Sequence, residues 1–341
     1  MIQSSAVVSG RMLAAVTSGG SLRAAAGASQ IKVGLYSITY LGVWYRGDAL
    51  TLEQVIQRAK QYGYQGIEID GKRPHGNPLD MPKRRCVEIR KRASGEGVPI
   101  YAVAGNNDFS SPIPEHREAQ LVYMRDLVRM TSDLGVKLLR VFLAWPGVTR
   151  VPDGGGRYDI ARRAFDAAHQ DFSSEQIWKW CRGGLKEAAG FAKERGVTLA
   201  LQNHGPVIND YPDVLRMVKE VDSPFLKVCL DAPLLLKEVK ADAASVRKAA
   251  LDVGRSLQVL SHFGGEYKQG PKGIEGGQAF YAPFIQAMHE IGYSGYIGYE
   301  LCHPLPKVDG RTVGIDYVDT SARFACEYMR GVIAQAGKRD S

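Results

Sequence analysis

Four polar residues close four successive apolar runs in the second half of the chain. Gln202 follows Leu199-Ala200-Leu201, Asp231 follows Val228-Cys229-Leu230, His262 follows Val259-Leu260-Ser261, and Glu300 follows Tyr299. The steps between them are 29, 31 and 38 residues. Each step is about one strand-plus-helix repeat, so the four side chains are expected on one rim of a parallel sheet. An amide oxygen, two carboxylates and an imidazole converging there are ligands for Mn, Co, Mg, Fe or Zn. A cation also answers an electrostatic problem: Asp231 and Glu300 placed together would repel, and one would be driven to protonate. One polar residue at a strand end is ordinarily just a strand end, and His262 alone would read as a satisfied core histidine. Four in succession predict one divalent metal ion, with Mn, Co or Mg preferred.

Around these residues lie candidates for substrate contact. His204 follows Gln202 closely and is positioned to act as a base or to touch substrate, and Asn203 lies between them. His75 sits on the second loop near Lys72 and Arg73, a trio suited to an anionic or hydroxyl-rich group. Tyr40, Trp44, Tyr45 and Trp145 fall near loops and offer faces on which a sugar could stack, although aromatics there often serve as lids or packing. Glu266 follows His262 closely enough to support it. Glu68 reads as a buried, paired carboxylate or a pocket residue.

The elements that must position these residues alternate regularly from Ile31 onward. Strands are predicted over Ile31–Ile38, Gly66–Ile69, Pro99–Ala104, Lys137–Ala144, Val197–Gln202, Phe225–Leu230, Leu257–Ser261 and Tyr296–Glu300. Helices fill the gaps, among them Thr51–Gly63 with Thr51 as N-cap and Gly63 as stop, Pro82–Gly95, Glu115–Gly135, Ser174–Gly196 and Tyr317–Ala336. The rhythm breaks at Trp145–Phe172, which reads as an insertion containing Asp153-Gly154-Gly155-Gly156. Eight alternating strands argue a parallel α/β sheet. A doubly wound open sheet would carry a glycine-rich loop after the first strand, where Leu35-Tyr36-Ser37-Ile38 runs instead into Thr39-Tyr40-Leu41. The expected fold is therefore a single (β/α)8 TIM barrel over residues 31–341.

Composition narrows the function classes. The 341 residues are 45% hydrophobic and 23% charged, which is ordinary for a globular chain, and no run of about 18 apolar residues suggests a membrane span. The net charge is +8. Its densest cluster, Lys83, Arg84, Arg85, Arg90, Lys91 and Arg92, is interrupted by Cys86 and Ile89 and fits the solvated face of a helix better than a nucleic-acid arm. The five cysteines form no CxxC pair, so a zinc knuckle or dithiol site has no support, and Cys229 reads as a core residue. Scattered thiols favour the cytoplasm. Residues 1–30 are rich in Ser, Ala and Gly and lack an acid. Arg11 precedes Met-Leu-Ala-Ala-Val, and Ala26-Gly27-Ala28 resembles a cleavage site. This segment reads as a disordered leader or a degenerate export signal, with export as the alternative location.

The order Gln202, Asp231, His262, Glu300 resembles the xylose-isomerase-like TIM-barrel superfamily, which includes sugar isomerases and epimerases, hydroxypyruvate isomerase and endonuclease IV-type enzymes. The likeness spans roughly Ile31 to Ala336. It is carried by Gly66-Ile67-Glu68-Ile69, Leu199-Ala200-Leu201-Gln202-Asn203-His204, Cys229-Leu230-Asp231 and Gly298-Tyr299-Glu300. The stretch Glu68-Ile69-Asp70-Gly71-Lys72-Arg73-Pro74-His75-Gly76 also resembles the large subunit of bacterial C-glycoside deglycosidases. The resemblance implies that Glu300 both binds metal and acts as catalytic acid/base. It also exposes two departures. Family members usually carry Glu where Gln202 stands, and an amide cannot accept a proton at neutral pH. The histidine often found three residues after the family's Asp is replaced by Leu234.

The leading expectation is a metal-dependent sugar isomerase or epimerase that abstracts a proton beside a carbonyl. The first alternative is a lyase that eliminates from a 3-oxo glycoside, which needs only one well-placed base. A non-catalytic sugar-binding barrel, with Gln202 marking decay, is another. An abasic-site nuclease fits poorly, because that class gathers three metals with many His and Glu ligands and this chain has 7 histidines. The expected partner is a small sugar or glycoside, with neither nucleic acid nor membrane, and with a homo-oligomer or a small partner subunit as a further possibility.

Overall fold

The computed structural model describes residues 30–151, 155–237 and 242–337. The leader expected over residues 1–30 falls almost wholly outside them. Eight parallel strands are expected from the sequence and eight close the barrel: β1 (Ile31–Tyr36), β2 (Ile67–Asp70), β3 (Ile100–Ala104), β4 (Leu138–Val141), β5 (Thr198–Gln202), β6 (Leu226–Cys229), β7 (Gln258–Gly264) and β8 (Gly295–Glu300). Their order around the ring is β1-β8-β7-β6-β5-β4-β3-β2, so each strand pairs with its neighbours in sequence and β8 returns to β1 through Ile31↔Gly295 to Leu35↔Tyr299. The order follows from right-handed helical crossovers, with two helices, Asp159–His169 and Ser174–Arg195, between β4 and β5.

The helices form where the sequence signals them. Thr51 caps α1 (Leu52–Tyr62) through a reciprocal box with Gln54, and Gly63 ends it at φ 81°, a left-handed conformation that favours glycine. Ser173 and Gln176 cap α2 (Ser174–Arg195) in the same way. The predicted basic cluster lies on an exposed helix, Lys83–Gly95, where Arg84 pairs with Glu88 and Arg85 with Glu53, in keeping with a solvated face. No helix among the described residues is long and apolar enough to cross a membrane.

Two local departures shape the interior. β1 stops at Tyr36 because Ser37–Tyr40 tightens into a 3-10 turn. In β3 the pairing with β2 jumps from Ile67↔Ile100 to Glu68↔Ala102, which leaves Tyr101 as an extra residue. Its ring fills the barrel floor against Gly34 and Gly298, where an added Cβ would come within 2.3 and 2.6 Å of it. Above that floor the barrel is lined by charge.

The C-terminal rim carries the extended loops. Beyond β4 the predicted insertion folds as a small hairpin, Thr149–Arg150 with Gly156–Arg157, followed by the helix Asp159–His169. Further hairpins follow β7 (Lys268–Gly270 with Gly273–Glu275) and β8 (Lys307–Val308 with Arg311–Thr312).

Candidate active site

A strand alternates its side chains, so residues two apart share a face. Cys229 and Asp231, at the end of β6, therefore face the same way. Asp231 is the hub of the site. Its carboxylate accepts the backbone N–H of His262 at 2.7 Å and lies 3.1 Å from His262 Nδ1, while its backbone is clamped by Asn203, whose Oδ1 accepts Asp231 N–H at 2.8 Å. The other ring nitrogen, His262 Nε2, is 2.7 Å from Glu68 Oε2. With carboxylates on both nitrogens the ring is a double donor. Burial opposes the charged imidazolium, but Asp231 and Glu68 override it and raise the His262 pKa well above its usual value. Asp231 responds in the opposite sense: burial disfavours its charge, and His262 with Gln202 holds it below the ordinary range.

Arg140 enters from β4 with its side chain 4% exposed. Its Nε donates to Glu68 Oε1 at 3.1 Å and its Nη1 donates to Gln202 Oε1 at 2.7 Å. The guanidinium lies 4.6 Å from the centre of the Tyr36 ring and 5.2 Å from that of Phe142. Because guanidinium only donates, the atom of Gln202 that faces it must be the amide oxygen. The amide nitrogen then points at Asp231 and donates to Oδ2. The structure brings Gln202, Asp231 and His262 together as the sequence predicts, but the amide presents its N–H side to Asp231.

Glu300 ends β8 in the same electrostatic neighbourhood. Burial raises its carboxyl pKa, His262 and Arg140 oppose that, and Asp231 and Glu68 add to it. The Cys302 thiol hydrogen-bonds to this carboxyl. Among the described residues, Cys229, Asp231 and His262 offer one ligand atom each within 4.8 Å of one another, a donor set that fits a divalent ion.

The ends of β2, β3 and β4 form a second polar wall. Asp70 is fully buried and accepts from Tyr36 OH at 3.0 Å and Asn106 Nδ2 at 2.7 Å. Lys72 Nζ is 3.7 Å from Asp70 Oδ2 and 3.4 Å from Asn106 Oδ1, and it faces the Trp145 ring at 5.9 Å. Trp145 stacks on Phe142 at 5.2 Å and meets His204 edge-on at 5.1 Å, so both predicted residues stand in one aromatic wall at the mouth. His204 Nδ1 also contacts the carbonyl of Gly205.

Three predicted substrate contacts sit elsewhere. Tyr40 is drawn into the core by the 3-10 turn after β1; it is fully buried and its hydroxyl donates to Asp319 at 2.8 Å. His75 is buried, with Nε2 donating to the Leu50 carbonyl at 2.8 Å and Nδ1 accepting from Ser37 Oγ at 3.0 Å. Burial lowers its pKa, so it is a neutral strut for the second loop. Asn203 has both amide atoms committed to the backbone of Asp231 and acts by placing that residue. Glu266 pairs with His303 Nε2 at 3.0 Å and with Tyr317.

Sequence reasoning missed Arg140; it placed Cys229 in the core, where it lies, but not the contacts of its thiol with Asp231 and His262. The available signals were a lone charge inside Leu138-Leu139-Arg140-Val141, matched by Glu68 inside Ile67-Glu68-Ile69, and the two-residue step from Cys229 to Asp231.

No curated protein sequence matches the chain. Solved structures do. D-psicose 3-epimerase with D-tagatose, from Clostridium cellulolyticum H10, is 20% identical over 89% of this chain and 99% of its own, with a TM-score of 0.66. The 3-keto-D-glucoside 4-epimerase YcjR of E. coli, in its apo form, is 19% identical over 89% and 99%, with a TM-score of 0.61. The IolI protein with a bound zinc atom is 16% identical over 90% and 98%, with a TM-score of 0.62. At these identities the likeness establishes the fold. A family model described as xylose isomerase-like TIM barrel matches residues 56–320, most of the chain and all of the site strands from β2 to β8, and the protein belongs to that family.

Proposed function

We propose that this protein is a divalent-metal-dependent enzyme that removes a proton beside the carbonyl of a sugar, with Glu300 as the base. One observation carries the reading: the Glu300 carboxyl at the end of β8 stands in one charge cluster with Asp231, His262, Glu68 and Arg140. A carboxylate held beside fixed positive charge can take a proton from the carbon next to a polarised carbonyl. Asp231 and His262 would hold the ion, with Glu300 as a further ligand expected from the sequence; Gln202, expected there too, has its amide oxygen on Arg140. A bound divalent ion supplies charge stabilisation for a polarised carbonyl oxygen. The chain's own residues do the rest. Arg140 adds fixed positive charge beside Gln202, Trp145, backed by Phe142, offers a ring face for the sugar, and Lys72 with Asn106 would bind its distal hydroxyls.

The geometry around Gln202 favours transfer with a single carboxylate base. The amide oxygen is held by Arg140, and the amide cannot carry a proton between faces. The reading therefore favours 1,2-isomerisation of a ketose or aldose. A second reading is elimination from a 3-oxo glycoside, in which the base takes the proton from the carbon beside the ketone and the group on the next carbon leaves with its electron pair. That the E. coli 3-keto-D-glucoside 4-epimerase shares the fold supports including such substrates.

The test is deuterium wash-in from solvent, followed by NMR, on free ketoses and 3-oxo glucosides with the metal-loaded protein. Exchange beside the carbonyl supports enolisation, and release of the aglycone identifies the lyase. Binding of both substrates without exchange by a fully metal-loaded protein overturns the enzyme reading in favour of a sugar-binding barrel.

A further inference from the structure

We infer that Cys229 is a metal ligand, so that the ion of this chain sits among a thiolate, a carboxylate and an imidazole, one step deeper in the barrel than the residues closing the strands suggest. This rests on the metal reading above and specifies its ligands.

Three observations carry it. Cys229 Sγ lies 3.4 Å from Asp231 Oδ1 and 3.5 Å from His262 Nδ1, and Nδ1 lies 3.3 Å from Oδ1. Zinc–sulfur bonds of about 2.3 Å and zinc–nitrogen or –oxygen bonds of about 2.0–2.2 Å at tetrahedral angles need donors about 3.3–3.6 Å apart. The three donors already stand at those separations. Next, Gln202 is unsuited to the fourth corner, because its acceptor atom is committed to Arg140 and an N–H faces the carboxylate. Finally, the imidazole is aimed correctly. Nε2 is braced by Glu68, which leaves Nδ1 as the nitrogen turned toward Cys229 and Asp231, the usual arrangement of a carboxylate supporting a metal-bound histidine. Binding exchanges protons for the ion: the thiol proton and the Nδ1 proton leave to solvent, and no oxidation state changes.

A thiolate selects for soft and borderline metals, so the site should prefer zinc or cobalt over manganese or magnesium. The experiment is cobalt(II) loading of the metal-free full chain, read by absorption spectroscopy without substrate. The expected spectrum has an intense sulfur-to-cobalt charge-transfer band in the near ultraviolet and visible bands of a tetrahedral centre. Cys302 also lies near the site, so Cys302→Ala should keep the band and Cys229→Ala should abolish it. Cys229→Ala and Cys229→Ser should each lower zinc affinity by more than about 100-fold, beyond the loss typical of a supporting residue. Cobalt bound to the wild type with no charge-transfer band overturns the inference and leaves the thiol as a hydrogen-bond donor to Asp231. So does a band that survives in Cys229→Ala. Failure of turnover on every sugar, with the band present, overturns the proposed reaction and leaves this ligand set standing.

Discussion

His262 Nε2 lies 2.7 Å from Glu68 Oε2, a contact between β7 and β2 made across the inside of the barrel by side chains fully withdrawn from solvent. Asp231 occupies the other ring nitrogen. In the metal-free protein the ring is therefore an imidazolium held between two carboxylates. A histidine whose folded pKa is raised contributes stability that is complete below its unfolded value of 6.5 and is lost as pH rises through the folded value. The metal-free protein should lose melting temperature as pH climbs from about 6.5 into the alkaline range. Glu68→Gln should flatten that slope. A wild-type melting temperature that is level from neutral to alkaline pH would show that the ring is not charged.

The same geometry predicts a proton count for metal binding. An ion on Nδ1 needs that nitrogen deprotonated, so uptake of zinc should release protons and tighten as pH rises. Calorimetry in buffers of different ionisation enthalpy measures the release directly. Binding with no proton release at neutral pH would place the ion elsewhere.

How much of this could be read from the chain follows from strand periodicity. The ends of β5 to β8 were legible because an apolar run that stops at Gln202, Asp231, His262 or Glu300 marks a strand reaching the rim. The polar interior was not, because the two charges that line it, Glu68 and Arg140, sit inside apolar runs 72 residues apart and reveal themselves as partners only when the barrel closes. Tyr40 and His75 misled for the converse reason. Both lie just beyond strand ends, yet the 3-10 turn at Ser37–Tyr40 and the bonds to Leu50 and Ser37 fold them back into protein.

The Arg140–Glu68 pair should behave as a buried ion pair. Removing Arg140 leaves Glu68 Oε1 buried without its donor and His262 as the remaining cation on that carboxylate, at a cost of up to about 3–5 kcal/mol. Arg140→Met should show that loss in urea denaturation. Arg140→Met combined with Glu68→Gln should cost less than the two changes added, because the Arg140–Glu68 interaction is lost only once. Strict additivity would mean that the two residues do not interact as placed.

Glu300 carries the chemistry in the proposed reaction. Its carboxyl must be ionised to take the proton, so the rate should rise with pH along an acid limb as that carboxyl ionises. Glu300→Gln keeps the shape and removes the base, and should lower kcat by about two to four orders of magnitude. If Glu300→Gln retained both the wild-type rate and that acid limb, the base would have to be another residue.

The last prediction concerns Gln202, whose amide is the site's departure from the carboxylate usual in this family. In Gln202→Glu, one carboxylate oxygen would take the place of the amide oxygen and pair with Arg140, which now donates to it at 2.7 Å. The other would stand where the amide N–H now meets Asp231 Oδ2, putting two carboxylates in contact. Like charges so close cannot both ionise without a cation between them. The metal-free variant should therefore be less stable than wild type at neutral pH and should regain that stability when acidified, because protonation of the new carboxyl removes the repulsion. A divalent ion should restore it too, so metal should raise the melting temperature of the variant by more than that of the wild type. A second carboxylate also gives the site a group able to return a proton to the opposite face of the sugar. Deuterium wash-in should then show inversion beside the carbonyl of a free ketose that the wild type isomerises or leaves unchanged. Rapid inversion by the wild type, with the amide intact, would overturn the single-base argument and assign the second proton transfer to another group at the mouth, with His204 and Lys72 the first to be substituted.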